Sequence, residues 1–206
     1  MKKPRQNKNR IILGITGSFG TGKSTVASII KKLAKAKVID ADKLARRNIQ
    51  KGTKIQDKII KAFGRGILDG NGCIIRAKLA GIVFNDNSAL RKLNRIIHPE
   101  VIKEIKSLIG KSSARIIVLD APLLIEAGLD NMVDEVIVVA SSLTKQLQRL
   151  KKKTSLSKEE ILLRIKSQVP LRVKTRLADF VIDNNGSLNE TRKQVKKVLR
   201  KMNYPA

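Results

Sequence analysis

The chain has 206 residues, of which 42% are hydrophobic, so it can form one folded α/β domain with a small insertion and is not a disordered chain. Lysine and arginine number 44 against 17 aspartates and glutamates, and the formal net charge of +27 favours anionic ligands such as nucleotides or nucleic acid. Aromatic residues make up only 2%, which argues against the stacking surfaces that bind single-stranded nucleic acid. The single cysteine, Cys73, excludes an intramolecular disulfide and a cysteine-based zinc site, and the single histidine, His98, excludes a site built from several histidines.

The N-terminal arm is polar and basic, and no apolar run in the chain is long enough to span a bilayer. The first apolar run, residues 11–15, is too short for the core of a signal peptide and leads directly into glycines. We therefore expect a soluble, cytoplasmic protein with no membrane partner. Residues 1–9 are expected to form a disordered, solvated arm. The basic residues of this N-terminal stretch are Lys2, Lys3, Arg5, Lys8 and Arg10.

Short apolar runs along the chain are typical of buried parallel strands. In chain order these runs are residues 11–15, 38–39, 116–119 and 136–139. Helical periodicity predicts helices over residues 24–36 and 90–109, the second broken at Pro99. Capping boxes at Ser157 and Ser187 predict two further helix starts. Strands that alternate with helices indicate a parallel sheet covered on both faces.

The stretch between residues 42 and 110 breaks this alternation, because it contains several helical patterns and no convincing strand. A connection of this length between two strands predicts an inserted helical subdomain. Within it, residues 67–75 carry two apolar pairs around an Asp-Gly-Asn-Gly segment. This pattern suits a β-hairpin and a plain loop equally well.

A glycine-rich segment, residues 17–24, fits the phosphate-loop pattern G-x-x-x-x-G-K-[ST] between a predicted strand and a predicted helix. Gly17, Gly20 and Gly22 would let the backbone wrap closely around phosphate with its N–H groups pointing inward. Lys23 would reach the β- and γ-phosphates, and the Ser24 hydroxyl would bind Mg²⁺. The pattern predicts a nucleoside triphosphate but leaves the phosphoryl acceptor open.

Three aspartates follow predicted strands, where functional side chains of open parallel sheets gather. Asp120 ends the strand at 116–119 and has the form of a Walker-B residue that holds Mg²⁺, or else that of a simple cap. Asp40 and Asp42 follow the strand at 38–39, and one of them could accept a proton from a substrate hydroxyl. Asp42 could equally be the N-cap of the next helix.

With these residues in place, the chain resembles the dephospho-coenzyme A kinase family over roughly residues 10–190. The phosphate loop alone is common to many nucleotide-binding proteins, whereas D-x-P-L-L-x-E together with the His-Pro and D-x-D elements is specific to this family. The matching segments are residues 11–24, 38–42, 72–84, 93–99, 120–126, 164–168 and 178–186.

This resemblance implies transfer of the γ-phosphoryl group of ATP to the ribose 3′-hydroxyl of dephospho-coenzyme A, with ATP and Mg²⁺ as cofactors. It implies a three-layer P-loop fold whose core comprises residues 10–45 and 111–206, with a lid at about 144–170 and a helical substrate domain at 46–110. The family has a loop at residues 67–75, which favours that alternative. We expect a small-molecule substrate, no specific nucleic-acid partner and a monomer.

The resemblance also assigns roles to individual residues. Lys23, Asp42 and Arg149 would be catalytic; Asp40, Arg76, His98 and Arg164 would bind substrate; Ser24 and Asp120 would bind the metal. The ATP site would comprise Gly17, Gly20, Thr21, Gly22, Lys23, Ser24, Thr25 and Asn184. His98 could instead be a helix-end histidine, the arginines could lie on the surface, and Asn184 could only shape a turn.

Two positions depart from the family pattern. Lys153 stands where many members have a second lid arginine, and a lysine lacks the planar two-pronged donor geometry of arginine. Phe19 stands in the phosphate loop where a small or aliphatic residue is usual, so it could change how the lid packs.

Two rival functions follow from the residues. Another P-loop kinase for a nucleoside or small metabolite would share the loop and the fold class. A nucleic-acid-binding protein could use the basic C-terminal helix, although Val195, Val198 and Leu199 give that helix an apolar stripe typical of core packing.

Overall fold

A parallel sheet organises the chain. The computed structural model describes residues 10–204, and the predicted arm at residues 1–9 lies outside them. The strands of the described chain are β1 (Ile11–Thr16), β2 (Lys37–Asp40), β3 (Ile116–Asp120), β4 (Glu135–Ala140) and β5 (Phe180–Asp183). They pair in parallel in the order β2-β3-β1-β4-β5. Helices flank this sheet, as the three-layer prediction requires.

The helices of the described chain are α1 (Lys23–Ala34), α2 (Ala41–Asn48), α3 (Lys54–Phe63), α4 (Arg76–Val83), α5 (Asn87–Gly110), α6 (Leu143–Lys153), α7 (Lys158–Lys166), α8 (Leu171–Leu177) and α9 (Leu188–Lys201). Short 3₁₀ turns lie at Arg65–Ile67 and Leu129–Met132. Between residues 10 and 204, no helix combines the length and the apolar character that a bilayer crossing requires.

The chain divides into two units. Within the described residues, the first comprises 10–40 and 111–204 and contains the sheet, and the second is Ala41–Gly110 and is helical. The sequence predicts boundaries after residues 45 and 110. The first boundary instead falls at the end of β2, because α2 starts at Ala41 and runs through residue 45 without interruption.

The core of the first unit covers both faces of the sheet. Leu13 and Val139 pack with Ile30 and Leu199, which places α1 and α9 over one face. The alternate residues of β3, Ile117 and Leu119, are equally buried. A strand buried on both sides has no need of polar alternation, and this is why the strands are visible in the sequence as short continuous apolar runs.

The ends of two helices match the sequence. The side chains of Ser157 and Ser187 each accept a hydrogen bond from the backbone N–H of the third helical residue, and the carboxylates of Glu160 and Glu190 each accept one from the backbone N–H of the cap residue. Both capping boxes are therefore confirmed. The backbone N–H and the hydroxyl of Ser187 hydrogen-bond to the Glu190 carboxylate and stabilise its charged form, which lowers the pKa of Glu190.

The second unit has its own core, formed around Ile55, Ile59 and Leu79. The predicted break at Pro99 is wrong, since α5 continues through this residue. Proline removes one N–H donor, but apolar residues on both sides of it, including Ile96 and Val101, are packed and hold the helix together.

Residues 67–75 form neither a plain loop nor a full hairpin. Leu68 and Ile74 make one isolated antiparallel bridge, and the Asp69 carboxylate accepts hydrogen bonds from the backbone N–H groups of Asn71 and Cys73. The Asp69 side chain thus closes the turn, and the apolar pairs on either side are too short to extend the ladder.

Candidate active site

The backbone of the phosphate loop requires glycine, and Gly17 and Gly22 show this most clearly. Gly17 and Gly22 have φ angles of 151° and 93°. A Cβ atom on Gly17 would lie 2.4 Å from the carbonyl oxygen of Val139, and one on Gly22 would lie 2.1 Å from Asn184 Nδ2. The glycines at these two positions therefore permit both the turn and the close approach of neighbouring strands.

Lys23 extends along the inside of this loop. Its Nζ donates hydrogen bonds to the carbonyl oxygens of Gly17, at 3.3 Å, and Ser18, at 3.0 Å, and the residue is buried. Thr21 Oγ1 donates to the same Ser18 oxygen at 2.9 Å. These bonds hold the ammonium group at the loop, where its charge and the N–H groups at the start of α1 favour an anion.

The predicted metal ligands come from different elements of the same unit. Ser24 is exposed in the first turn of α1. Asp120 is buried at the carboxyl end of β3, where it is the register partner of Ile15 on β1. A hydroxyl and a carboxylate are hard oxygen donors, which suit Mg²⁺. Across residues 10–204, no group of three or more His, Cys, Asp or Glu side chains could hold a metal. The Ser24 hydroxyl and the Asp120 carboxylate therefore fit an ion that completes its coordination shell with phosphate and water oxygens.

Asp40 lies one strand farther from the loop than Asp120. It ends β2, and β2 pairs with β3 and not with β1. Of the two predicted strand-end aspartates, the structure therefore places Asp120 next to the loop-bearing strand, and Asp40 is the register partner of Asp120.

Arg149 and Asn184 support the phosphate loop from outside. The Arg149 guanidinium donates to the carbonyl oxygens of Thr21, at 3.2 Å, and Asn184, at 2.6 Å. Asn184 Nδ2 donates to the Thr21 oxygen at 2.8 Å, and its Oδ1 accepts from the Thr191 hydroxyl at 2.9 Å. Because both polar atoms of the Asn184 side chain are used in this way, the residue fixes the loop, which is a role that the sequence did not suggest.

The R-x-x-x-Q segment contacts the loop through Phe19. The Phe19 backbone N–H donates to Gln168 Oε1 at 3.0 Å, and the Arg164 guanidinium lies 6.0 Å from the centre of the Phe19 ring. This separation is at the limit of a cation–π contact. Phe19, the residue that departs from the family pattern, therefore interacts with a predicted lid arginine.

Three of the predicted residues, Asp42, Arg76 and His98, belong to the second unit. Asp42 is exposed in the first turn of α2. Arg76 is the first residue of α4, is exposed, and donates to the carbonyl oxygen of Arg46 at 3.4 Å. His98 is half-buried in α5, and this burial lowers its pKa below the usual value of 6.5. A neutral imidazole at this position is therefore favoured at neutral pH.

Sequence reasoning missed several polar residues of the first unit. Thr16, Thr191 and Lys174 make buried or partly buried hydrogen bonds at or near the loop, and none of them was singled out. The role of each residue depends on its contacts in the folded chain, which the sequence pattern does not carry.

Comparisons with known proteins agree with this geometry. The family model of dephospho-CoA kinase matches residues 11–190. A dephospho-CoA kinase of Carboxydothermus hydrogenoformans is 45% identical over 196 residues, which is 94% of this chain and 95% of that protein. A crystal structure of a Thermus thermophilus protein has a TM-score of 0.81 at 32% identity, and covers 95% of this chain and 98% of its own. The dephospho-CoA kinase of Campylobacter jejuni has a TM-score of 0.63 at 30% identity over 93% and 96% of the two chains.

The family match covers the phosphate loop, the strand that ends at Asp120 and the R-x-x-x-Q segment, which are the parts that form the site in the first unit. The resemblance carried by the sequence motifs is thereby confirmed, and the chain belongs to the dephospho-CoA kinase family.

Proposed function

We propose that the protein transfers the γ-phosphoryl group of ATP to the ribose 3′-hydroxyl of dephospho-coenzyme A. The observation that carries this proposal is the position of Asp120 on the strand adjoining the loop that holds Lys23, in a chain that matches the family across residues 11–190. A lysine and a carboxylate at one edge of the sheet are what a triphosphate with its metal ion requires.

The loop and the start of α1 bind the triphosphate. The backbone N–H groups of residues 20–25 and the Lys23 ammonium favour the negative charge that spreads over the phosphoryl oxygens during transfer. Lys23 exchanges its bonds to the Gly17 and Ser18 carbonyls for phosphate oxygens. Ser24 and Asp120 would hold Mg²⁺, and the ion would supply positive charge that offsets the charge of the phosphate groups.

Asp42 accepts the proton of the attacking hydroxyl. The Asp42 carboxylate is exposed in the first turn of α2 and is therefore accessible to a substrate hydroxyl. Arg76, His98 and Asp40 contribute to binding of the acceptor molecule, and Arg164 contributes a lid cation. Arg149 acts on the nucleotide side, because its guanidinium already binds the loop carbonyl of Thr21.

The test is phosphotransfer with purified protein. A coupled assay that detects ADP is run with ATP and Mg²⁺ against dephospho-coenzyme A, a nucleoside monophosphate and a nucleoside. We expect turnover with dephospho-coenzyme A at a kcat/KM well above that of the other acceptors, and a product phosphorylated at the 3′ position by NMR. Lys23→Met serves as the control for a contaminating kinase. Equal or better turnover of a nucleoside or its monophosphate would contradict the proposal.

A further inference from the structure

Lys174 in α8 carries a charged side chain that is completely buried and ion-paired. Its side chain is 0% exposed, its Nζ lies 2.8 Å from Glu126 Oε1, and Nζ also donates to the carbonyl oxygen of Pro122 at 2.6 Å. Taking an ammonium group out of water is costly, and burial accordingly lowers the pKa of Lys174 against the opposing effect of Glu126. Lys174 has no role in the proposed reaction, so the burial of its charge must have another reason.

Glu126 connects Lys174 to the chain that follows α7. Its Oε1 accepts a hydrogen bond from the backbone N–H of Val169 at 2.9 Å. Its Oε2 is buried and has no hydrogen-bond partner within residues 10–204. A carboxylate that is only half satisfied is strongly held by its ammonium partner, because losing that partner would leave a charge buried without compensation.

The contacts of Lys174 and Glu126 belong to a chain of hydrogen bonds that begins and ends at the phosphate loop, and we call this chain of contacts the circuit. The Pro122 oxygen that accepts from Lys174 also accepts from Thr16 Oγ1, at 3.0 Å, and Thr16 is the residue before the loop. At the other end, Val169 follows Gln168, whose Oε1 accepts from the Phe19 N–H inside the loop. Both ends of the circuit thus reach the loop, one at its entry and one at its third residue.

We propose that Lys174 and Glu126 are positioning residues that lock the phosphate loop and the strand end carrying Asp120 to the segment carrying Arg164 and Gln168. The inference rests on the proposed function, since it concerns the same site. Catalysis by positioning is sensitive to displacements of about 1 Å, and residues remote from the reacting atoms can impose them. The pair contacts no reacting atom itself.

Three variants test this proposal by kcat, KM and thermal unfolding. Lys174→Met is expected to lower kcat roughly 10- to 100-fold, the loss that follows a small misplacement of reacting groups, with the KM for dephospho-coenzyme A unchanged. Glu126→Gln keeps the shape of the side chain and is expected to lower kcat in the same direction by a smaller factor. The double variant Lys174→Met/Glu126→Leu replaces the ion pair by apolar groups, so it is expected to recover Tm but not kcat.

The matched control is Met202→Ala, which creates a cavity in the core of the same unit at a residue outside the circuit. It is expected to lower Tm while kcat stays at the wild-type value. A Lys174→Met variant that loses no more kcat than this control would overturn the proposal. So would a double variant in which Tm and kcat recover together, because that is the behaviour of a purely structural pair.

Amide hydrogen exchange gives a readout that does not depend on turnover. In Lys174→Met, the amides of Val169 and Phe19 are expected to exchange faster than in Met202→Ala, and ATP·Mg²⁺ affinity is expected to fall. Unchanged exchange at both amides would overturn the proposal. If Lys174→Met does not fold, Glu126→Gln carries the same comparison. If the wild-type protein fails to phosphorylate dephospho-coenzyme A, the proposed function fails, while exchange and ATP affinity still decide the role of the pair.

Discussion

Asp40 and Asp120 are register partners at the carboxyl ends of the adjacent parallel strands β2 and β3. Asp120 is at the same time the partner of Ile15 on β1, just before the phosphate loop begins. The strand order therefore ranks the two carboxylates by their distance from the loop. The inner one is suited to the metal that accompanies the triphosphate, and the outer one to the acceptor side.

Asp120→Asn is expected to lower kcat on the order of 10²-fold and to raise the Mg²⁺ concentration needed for half-maximal rate, because a neutral amide is a weaker ligand for a hard cation. Steady-state kinetics over a Mg²⁺ titration measure both effects. Asp130→Asn, in the 3₁₀ turn of the same unit, is the control and should leave the titration unchanged. A Mg²⁺ dependence identical to wild type would remove Asp120 from the metal site.

Replacing each of the other two aspartates separately tests which one is the base. We expect Asp42→Asn to lower kcat roughly 10²- to 10⁴-fold at an intact fold, the usual contribution of a general base. Asp40→Asn is expected to raise the KM for the acceptor and to affect kcat less. The measurement is a full kinetic comparison with circular dichroism as the folding check. Near-normal turnover in Asp42→Asn with loss in Asp40→Asn would reverse the assignment.

A pair of glycine replacements separates the effect of the Gly22–Asn184 contact on stability from the effect of backbone strain. Gly22→Ala adds a Cβ 2.1 Å from Asn184 Nδ2 at a φ of 93°, whereas Gly128→Ala adds one at a φ of 66° with no atom within 4 Å. The left-handed conformation costs each alanine about 1–2 kcal/mol in free energy of unfolding. Gly22→Ala is expected to lose more than this and to weaken ATP binding, as measured by urea unfolding and calorimetric titration. Equal losses of unfolding free energy in the two variants would show that Asn184 moves away from the added Cβ at no cost to stability.

The strands and the phosphate loop were predictable because they depend on local patterns. Buried parallel strands such as β3 and β4 are short apolar runs, and the loop has fixed glycine spacing. The strand β5 was recognised only as part of the matching segment 178–186; it is four residues long, and Val181 is half-exposed at the sheet edge. The family resemblance, by contrast, used many separated segments and could be made without any structure.

The residues that hold the site in place were not predictable. Asn184 was expected in the ATP site or in a turn, and neither expectation indicated that its side chain bonds to the loop at Thr21 and to Thr191 in α9. Lys174 has the sequence environment of a solvated helical lysine, with basic residues on either side, yet it is completely buried. The contacts of Asn184 with Thr21 and of Lys174 with Pro122 join residues far apart in the chain, so no local pattern indicates them.

His98 makes stability depend on pH in a defined direction. Burial lowers the pKa of His98 in the folded protein below 6.5, so the unfolded chain binds more protons between these two values. The stabilisation is therefore fully present above pH 6.5 and is lost as the pH falls through that value toward the folded pKa. The variant His98→Gln has no titrating side chain at this position. Between about pH 7.5 and about pH 5, which bracket the ordinary histidine pKa, it is expected to lose less unfolding free energy than wild type, as measured by urea titrations. Asp and Glu residues titrate equally in both proteins, so their contribution cancels in the difference. Parallel curves for the two proteins would mean that His98 is as easily protonated when folded as when unfolded, and that its burial imposes no electrostatic cost.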